Sequence, residues 1–569
     1  MSAVARRVPA IAALRSYHLS WLPKDVVAGL VLTALLVPQG MAYAELAGLP
    51  AITGLYTSIM CLLGYAVFGP SRILVLGPDS SLGPMIAATI LPLVGADGDP
   101  AKAIALASML AILVAACMIG AGLGRLGFVA DLFSKPTQIG YMNGLAVTIL
   151  VGQLPKLFGF SVDSDSFLGD VKGFVQGVAD GETVTAALLI GVSGLAIILV
   201  LGRAAPKIPG VLVAVVTAIA AVVLLDLGAE GVSLVGELPQ GFPPFTVPRV
   251  ELGEMSLLVA GALGIALVSL TDTISTSSAF AARTGQEVDA NQEMIGIGAA
   301  NLACGFFQGF PVSTSGSRTA VAERAGAKSQ LTGVVGAVVI AAMLLFAPGL
   351  FRNLPQPVLA SVVIAASLSL ADVPATRRLW QQRRMEFGVS MAAFLGVALL
   401  GVLPGIAIAV AISILNVFRR MWMPYRVELG RVDGLDGYHD LRAHPEGETK
   451  EGLVIFRFDA PLVFANSRTF RDEIRRLAAT DPPPKWILVA AEPITDVDTT
   501  AADMLEDLDA ELNAAGVSLV FAEMKTPVQR KIQRYGLTRT IDPAHFFHTV
   551  EEGVKAYDAE YGTSSKETS

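Results

Sequence analysis

The chain has 569 residues, of which 53% are hydrophobic and only 16% are charged, and its mean hydropathy is +0.60. An average soluble domain carries about 25% charged residues, so this composition indicates an integral membrane protein. The net charge of −8 argues against nucleic-acid binding, which usually uses a basic face. The three cysteines lie far apart in apolar segments and suggest neither disulfides nor a metal motif, and the sequence predicts no cofactor.

About fourteen apolar stretches are long enough for helices that cross or enter a hydrocarbon core of ~30 Å. They are 26–49, 51–69, 79–95, 101–124, 128–157, 183–202, 208–227, 255–281, 291–309, 314–325, 329–351, 356–372, 386–402 and 404–424. The third and the tenth are short and follow interruptions rich in Pro, Gly and hydroxyl residues. Each is third in a set of seven, so we predict two inverted repeats, each with one half-helix.

The distribution of charge predicts the domain organisation. We expect a cytoplasmic N-terminal segment, a transmembrane transport domain in two repeats, a soluble domain and a flexible tail. These cover residues 1–24, 25–425 (repeats 25–228 and 254–425), 426–560 and 561–569. Arginines such as Arg203, Arg377 and Arg419 follow even-numbered segments, on the side of the basic N-terminus. The positive-inside rule therefore places both termini in the cytoplasm.

The soluble domain alternates strands and helices. Strand-like runs occupy 452–458, 486–490 and 517–521, and helical patterns occupy 464–478, 500–515, 525–535 and 549–558. Such alternation predicts an α/β domain with a small sheet covered by helices.

Two interruptions within the apolar part carry the functional argument. The first break is residues 77–81 (GPDSS), and the second break is residues 310–318 (FPVSTSGSR). Unwound backbone at membrane depth survives only inside protein or beside a wet cavity, and a matched pair indicates a transporter's binding site. The free amides and dipole of a helix N-terminus favour an anion. The predicted anion ligands are Ser80, Ser81, Ser315, Gly316 and Ser317.

Two charged residues in the breaks have more than one interpretation. Asp79 either caps its helix or is protonated when the anion arrives. Arg318 pairs with the substrate or with a nearby carboxylate, or it extends to the cytoplasmic edge. A charge at this depth costs at least about 2.5 kcal/mol, which favours a functional partner.

Further intramembrane acids are candidates for ion coupling. Asp272 and Thr276 lie one helical turn apart, where they could ligate Na⁺, or Asp272 could carry a proton. The alternative is a structural pair between Asp272 and Arg318 or Arg283. Glu45, near the end of the first segment, is either a coupling acid or an interfacial residue.

Two other positions are weaker candidates. Gln39 follows Pro38, where the first segment can kink, and its amide could donate to an anion with Tyr43 one turn away. Near the C-terminus, Thr499 lies at a strand-to-helix turn. It either belongs to an N-cap with Asp498 or is a phosphorylatable switch.

Several motifs resemble the sulfate permease (SulP) family of anion transporters. They are residues 37–44 (VPQGMAYA), 46–50 (LAGLP), 54–56 (GLY), 77–80 (GPDS), 283–287 (RTGQE) and 315–318 (SGSR), together with a C-terminal region similar to a STAS domain. The resemblance covers nearly the whole chain. It implies a membrane all-α fold of seven-plus-seven inverted repeats, a homodimer, and a core domain that moves like an elevator.

The resemblance also implies roles for individual residues. The anion would lie between the third and tenth segments, near Ser80–Ser81 and Ser315–Ser317, and would contact Gln39 and Tyr43. Asp272 and Thr276 match sodium-ligand positions of a bicarbonate transporter in the family, and Thr314 joins this set. Glu45 resembles an acid linked to proton coupling, and Thr499 matches a phosphorylated serine of bacterial anti-sigma-factor antagonists.

We therefore predict a secondary transporter in the cytoplasmic membrane that carries a small oxyanion, sulfate first, coupled to H⁺ or Na⁺. Bicarbonate and a dicarboxylate are alternative substrates. Two other classes remain open: an anion channel that uses the same site without a coupling carboxylate, and a sensor in which the membrane part serves the STAS-like domain. No nucleophile–base pair, phosphate loop or metal cluster suggests an enzyme.

Overall fold

The computed structural model describes residues 9–95, 98–128, 134–162, 164, 166–206, 208–284 and 288–561, without the side chains of Arg283, Thr284 and Arg420. The chain divides into two compact units, Met1–Ser413 and Ile414–Ser569. The predicted tail from residue 562 onward and the first eight residues lie outside the described part. The RTGQE motif at 283–287 lies there too, apart from the backbone of its first two residues.

The membrane unit is helical apart from one short pair of strands. Its elements are α1 Pro9–Arg15, α2 Leu22–Leu46, α3 Ala51–Phe68, β1 Leu76–Gly77, α4 Gly83–Val94, α5 Pro100–Leu123, α6 Lys135–Phe158, α7 Phe167–Ala179, α8 Thr185–Ala204, α9 Gly210–Leu225, α10 Met255–Thr284, α11 Ala290–Phe306, β2 Ser313–Thr314, α12 Gly316–Arg324, α13 Leu331–Phe346, α14 Gln356–Leu370, α15 Val373–Gln382, α16 Arg384–Leu400 and α17 Val402–Trp422. The last of these continues past the boundary of the unit.

Each of the fourteen apolar stretches contains a helix, and seven helices of the described chain are long and apolar enough to cross a bilayer. Three helices of this unit were not predicted: α1, α7 and α15. All three are shorter than a membrane span and contain charged residues, so the length of their apolar runs does not reveal them. The half-helix α4 begins at Gly83, four residues later than the predicted segment.

A close contact between α2 and α3 explains the glycines near Pro38. A Cβ atom added to Gly54 would lie 1.9 Å from the carbonyl oxygen of Gly40. Only glycine allows the two backbones to approach this closely. Around this contact, one continuous apolar core extends from Ala28 in α2 to Ala409 in α17.

The second unit is built on a six-stranded mixed sheet. Its strands are β3 Arg426–Arg431, β4 Tyr438–Asp440, β5 Leu453–Phe458, β6 Trp486–Ala490, β7 Ser518–Ala522 and β8 Phe546–Phe547, in the order β4-β3-β5-β6-β7-β8. The pairs from β5 to β8 are parallel, whereas β4 and β3 are antiparallel additions.

Helices cover this sheet on both faces. They are α18 Ser467–Ala478, α19 Thr499–Ala514, α20 Thr526–Tyr535 and α21 Val550–Tyr561. Two separate apolar clusters fill the two sides of the sheet, and α21 packs on the side opposite the other three. The predicted strands and helices all occur. The strands β3, β4 and β8 were missed. β4 and β8 are edge strands of three and two residues and carry little periodic signal, and the six residues of β3 mix apolar with charged side chains.

The Gly40–Gly54 contact predicts the effect of one methyl group. Gly54→Ala should lower the unfolding midpoint temperature of the detergent-purified protein by several degrees, because the backbones must separate. Gly120→Ala in α5 is the matched control, since nothing lies within 4 Å of its added Cβ. Equal midpoint temperatures for the two variants would contradict the close contact.

Candidate functional site

The two breaks are joined by a two-stranded antiparallel ladder. Leu76 pairs with Thr314, and Gly77 pairs with Ser313. The ladder is extended by the Ser315 amide, which donates to the Val75 carbonyl at 3.1 Å. Because the two strands are antiparallel, the segments that follow them leave the ladder in opposite directions. The helices α4 and α12 therefore run apart from the ladder. Their N-terminal ends therefore face one common region.

In the first break, Asp79 forms a local cap. Its Oδ1 accepts hydrogen bonds from the amide of Ser81 at 2.9 Å and from the Ser81 hydroxyl at 2.7 Å. The amide of Gly83 donates to the Asp79 carbonyl at 3.2 Å. Ser80 and Ser81 therefore lie in a turn before α4, and the amide of Ser81 is already occupied.

The second break leaves donors free. Ser315 is the N-cap of α12, and its hydroxyl accepts from the amide of Arg318 at 3.4 Å and lies 3.1 Å from the hydroxyl of Ser317. The amides of Gly316 and Ser317 belong to the first helical turn, where no intrahelical acceptor exists. Both residues are exposed, whereas Ser313, Thr314 and Ser315 are buried. Anion-binding capacity is thus concentrated at the start of α12.

Arg318 connects the two breaks. Its side chain is 2% exposed, its Nη1 donates to the carbonyl of Pro78, and its Nη2 lies 3.7 Å from Oδ2 of Asp79. The guanidinium therefore pairs with a nearby carboxylate and does not extend to an edge of the bundle. Within the described chain, its Nε and Nη2 atoms have no hydrogen-bond acceptor. A site with unused guanidinium donors is suited to an anion.

Asp272 lies on α10 beside the breaks and has no ion pair with Arg318. Its Oδ1 accepts from Nε2 of Gln138 at 3.4 Å, and its Oδ2 lies 3.5 Å from the hydroxyl oxygen of Ser81, which donates its proton to Asp79. The alternative partner Arg283 has a side chain outside the described part. Gln138 was missed by the sequence reasoning, although a polar amide within an apolar helix was an available signal.

One face of α10 follows the second break. The hydroxyl of Ser269 donates to the carbonyl of Val312 at 3.3 Å, and those of Thr273 and Thr314 lie 3.2 Å apart. Thr276 continues this face, and its side chain is 3.9 Å from the position of an added Cβ on Gly316. Asp272, Thr276 and Thr314 thus lie around the same helix end, although Thr314 uses its hydroxyl for Thr273. Ser269 and Thr273 were not predicted, because hydroxyl residues are common in membrane helices.

Two side chains of α2 lie at or near the first break. Tyr43 is buried, and its side chain lies near Ser80, Asp79 and Arg318. Gln39 is half-buried one turn earlier on the same face of α2. No described protein group forms a hydrogen bond with its amide, which leaves the amide available to a ligand.

Glu45 lies at a different place. It lines a cavity of about 870 Å³ near the end of α2, together with Lys156, Tyr56, Gln308 and Gln356. None of the residues around Asp272 lines this cavity. The structure therefore separates Glu45 from the other three coupling candidates.

In the second unit, Thr499 is the first residue of α19 and is exposed. Asp498 is the N-cap, with its carboxylate accepting from the amide of Ala501 at 2.8 Å and from that of Phe464 at 2.7 Å. Nearby, the hydrogen bond from the Lys531 ammonium lowers the pKa of the Asp496 carboxyl. The capping interpretation describes the local geometry, and phosphorylation of Thr499 stays a prediction.

No cluster of His, Cys, Asp and Glu within the described residues could hold a transition metal. The oxygen ligands near the breaks are hydroxyls, carbonyls and the carboxylates of Asp79 and Asp272. Such a set suits a hard cation such as Na⁺ better than a transition metal.

Comparisons with known proteins give the chain's relatives. The profile of the Sulfate permease family matches residues 22–393, and that of the STAS domain matches residues 444–553. A probable sulfate transporter of Mycobacterium tuberculosis strain H37Rv is 39% identical over 96% of this chain and 98% of its own. Probable sulfate transporter 3.3 of Arabidopsis thaliana is 30% identical over 95% of this chain and 88% of its own.

Solved structures show the same architecture. The murine Solute Carrier 26 family member A9 anion transporter, in the inward-facing state, has a TM-score of 0.90 and 25% identity, covering 98% of this chain and 96% of that chain. The transmembrane domain of a cyanobacterial bicarbonate transporter has a TM-score of 0.60 and 22% identity, over 70% of this chain and 98% of that one. The fold is thus that of a mostly helical membrane transporter with a C-terminal STAS domain.

The ion pair between Arg318 and Asp79 predicts a double-mutant cycle. Arg318→Gln should lower the unfolding midpoint temperature more than Asp79→Asn/Arg318→Gln, because the single change leaves a partly buried carboxylate unpaired. A cycle in which the two changes simply add would contradict the coupling. The measurement is thermal unfolding in detergent at fixed pH and salt.

Proposed function

Because the chain belongs to the sulfate permease family, a family of transporters, and its relatives are named as sulfate transporters, we propose that it carries sulfate across the cytoplasmic membrane by secondary active transport. The observation that carries the proposal is the ladder between β1 and β2, which brings two half-helix N-termini to one region beside Arg318. A doubly charged oxyanion with four acceptor oxygens suits amide, hydroxyl and guanidinium donors.

The anion site consists of groups from both breaks and from α2. The amides of Gly316 and Ser317 are the main ligands, and the hydroxyls of Ser80, Ser315 and Ser317 complete the set. Ser81 contributes indirectly, since its amide and hydroxyl both bond to Asp79. Gln39 and Tyr43 supply donors from α2, and Arg318 provides positive potential.

The coupling ion acts at Asp272. Within the described chain this carboxylate has one long hydrogen bond from Gln138, a 3.5 Å contact with the Ser81 hydroxyl and no ion pair, so a proton or Na⁺ would complete its surroundings. Thr276 and Thr314 add oxygen ligands in the sodium version. Glu45 is the proton-coupling alternative, but its separate cavity makes it the weaker candidate.

The transport cycle is proposed to be an elevator movement of a core domain that contains both breaks. The fourteen segments form two inverted repeats of seven, both termini are cytoplasmic, and the transporter is a homodimer. This arrangement is supported by the matched positions of the two half-helices and by the likeness to the murine anion transporter.

Sodium-coupled transport of bicarbonate is the second candidate. The likeness to the cyanobacterial bicarbonate transporter favours it, and backbone amides do not by themselves select among small oxyanions. Uptake of radiolabelled sulfate into proteoliposomes, with bicarbonate or fumarate as competitor and with an imposed Na⁺ or pH gradient, tests both. Sulfate uptake that follows neither gradient, or no sulfate uptake at all, would contradict the primary proposal.

Gly316→Val should abolish sulfate binding while the protein stays folded. An added Cβ at Gly316 meets nothing closer than 3.9 Å, so the new side chain would fill the space in front of the α12 amides without a backbone clash. Gly388→Val in α16 is the matched control, because nothing lies within 4 Å of its added Cβ. Isothermal titration with sulfate measures the effect, and normal affinity in Gly316→Val would contradict the site.

Asp272→Asn should uncouple transport. An amide cannot carry the proton and binds Na⁺ less well than a carboxylate, so uptake should lose its response to the driving gradient and fall at least tenfold under it. Glu45→Gln is the comparison, and it should keep most of the response. If Asp272→Asn kept its gradient dependence and Glu45→Gln lost it, Glu45 and not Asp272 would be the coupling residue. An anion current that neither substitution changes would indicate a channel.

A further inference from the structure

The short helix α15 has features that the transport site does not use. Residues 373–385 contain four arginines and no acid, and Trp380 lies between the two arginine pairs. All four arginines are exposed, as is 52% of Trp380. Basic residues next to a tryptophan at the end of a membrane helix are the usual composition of a surface that contacts lipid headgroups.

α15 is held firmly in place. The carboxylate of Asp372 caps it by accepting from the amide of Ala375 at 2.8 Å. Asn143 of α6 accepts from the amide of Asp372 at 2.7 Å and donates to the hydroxyl of Thr376 at 2.8 Å. These bonds orient the first turn of α15 relative to α6. The outer face of α15 therefore has a defined orientation.

The outer face combines apolar and basic side chains. Val373, Arg377 and Trp380 are spaced at i, i+4 and i+7 and therefore share one side of the helix, opposite the buried Ala375. Val373 is 68% exposed. Two large apolar side chains around an arginine would be unfavourable in water but suit the boundary between headgroups and acyl chains.

Carboxylates neutralise only some of the arginines in and directly after α15. Arg383 pairs with Glu386 at 3.2 Å, and the Arg384 guanidinium lies 5.5 Å from the centre of the Trp380 ring. For Arg377 and Arg378, no carboxylate within ion-pairing distance is found in the described chain. These two guanidinium groups are available to an external anion.

We propose that the outer face of α15 binds the phosphate headgroups of anionic phospholipids. α14 precedes α15 by two residues and, in the proposed topology, runs toward the cytoplasm, so the partner is the cytoplasmic leaflet. Arg377 and Arg378 bind phosphate oxygens, while Val373 and Trp380 enter the headgroup boundary. The lipid would fix the junction between α14 and α16 while other helices move.

Binding of a fluorescent phosphatidylglycerol to the full-length protein in detergent tests the proposal. The protein should bind this lipid at least tenfold more tightly than phosphatidylcholine, and added salt should weaken the binding. Arg377→Gln/Arg378→Gln should weaken it about tenfold, because each surface arginine near an anionic lipid contributes on the order of a few-fold or more. Both residues are exposed and have no ion pair with the described residues, so the variant should fold.

Four controls make the result decisive. Arg530→Gln/Arg534→Gln removes the same charge from exposed positions of the second unit and should leave binding unchanged. Arg377→Lys/Arg378→Lys should retain most of the affinity, and Trp380→Ala should reduce it. Glycerol phosphate, which has the headgroup but no acyl chains, should not compete at equal concentration.

Equal loss in the Arg530/Arg534 control, equal affinity for the two lipids, or full competition by glycerol phosphate would each overturn the proposal. The first would indicate a general charge effect, the second an apolar contact, and the third a site for free phosphate. None of these outcomes depends on sulfate transport, so failure here is distinguishable from failure of the proposed function.

Discussion

The contact of Arg318 with the first break is the interaction on which the site depends. A buried guanidinium requires compensation, and it obtains this from the Pro78 carbonyl and the Asp79 carboxylate, both on the other break. Asp79 in turn caps its own turn through Ser81. The two interruptions of the helices therefore form one hydrogen-bonded unit, in which unwound backbone at membrane depth is satisfied by protein. The ladder between β1 and β2 fixes the direction of both half-helices.

The same unit explains how a site whose two charged side chains offset each other can attract an anion. Asp79 offsets the charge of Arg318, so the positive potential comes mainly from the amides at the start of α12 and from guanidinium atoms without acceptors. Donors of this kind bind many small oxyanions. Selection among them then rests on side chains that approach from other helices, above all Gln39 and Tyr43 of α2.

Sequence reasoning found the breaks because their composition contradicts that of the surrounding helices. It found Asp272 for the same reason, since a carboxylate in an apolar run is costly. It did not find Gln138, although an amide in an apolar helix was an available signal. It did not find Thr273, because hydroxyl residues are common in membrane helices. Nor did it predict that the Ser81 amide and hydroxyl bond to Asp79, or that Glu45 lines a cavity away from Asp272. Both facts depend on how distant segments pack, which spacing along the chain does not encode.

The central claim is that one oxyanion lies between the two breaks. The most direct measurement is the anomalous scattering of selenate, a sulfate analogue, bound to crystals of the full-length protein. The account predicts one selenium peak within hydrogen-bonding range of the amides of Gly316 and Ser317, and its loss in Gly316→Val. A peak only in the cavity lined by Glu45 and Lys156, with no density at the start of α12, would contradict it.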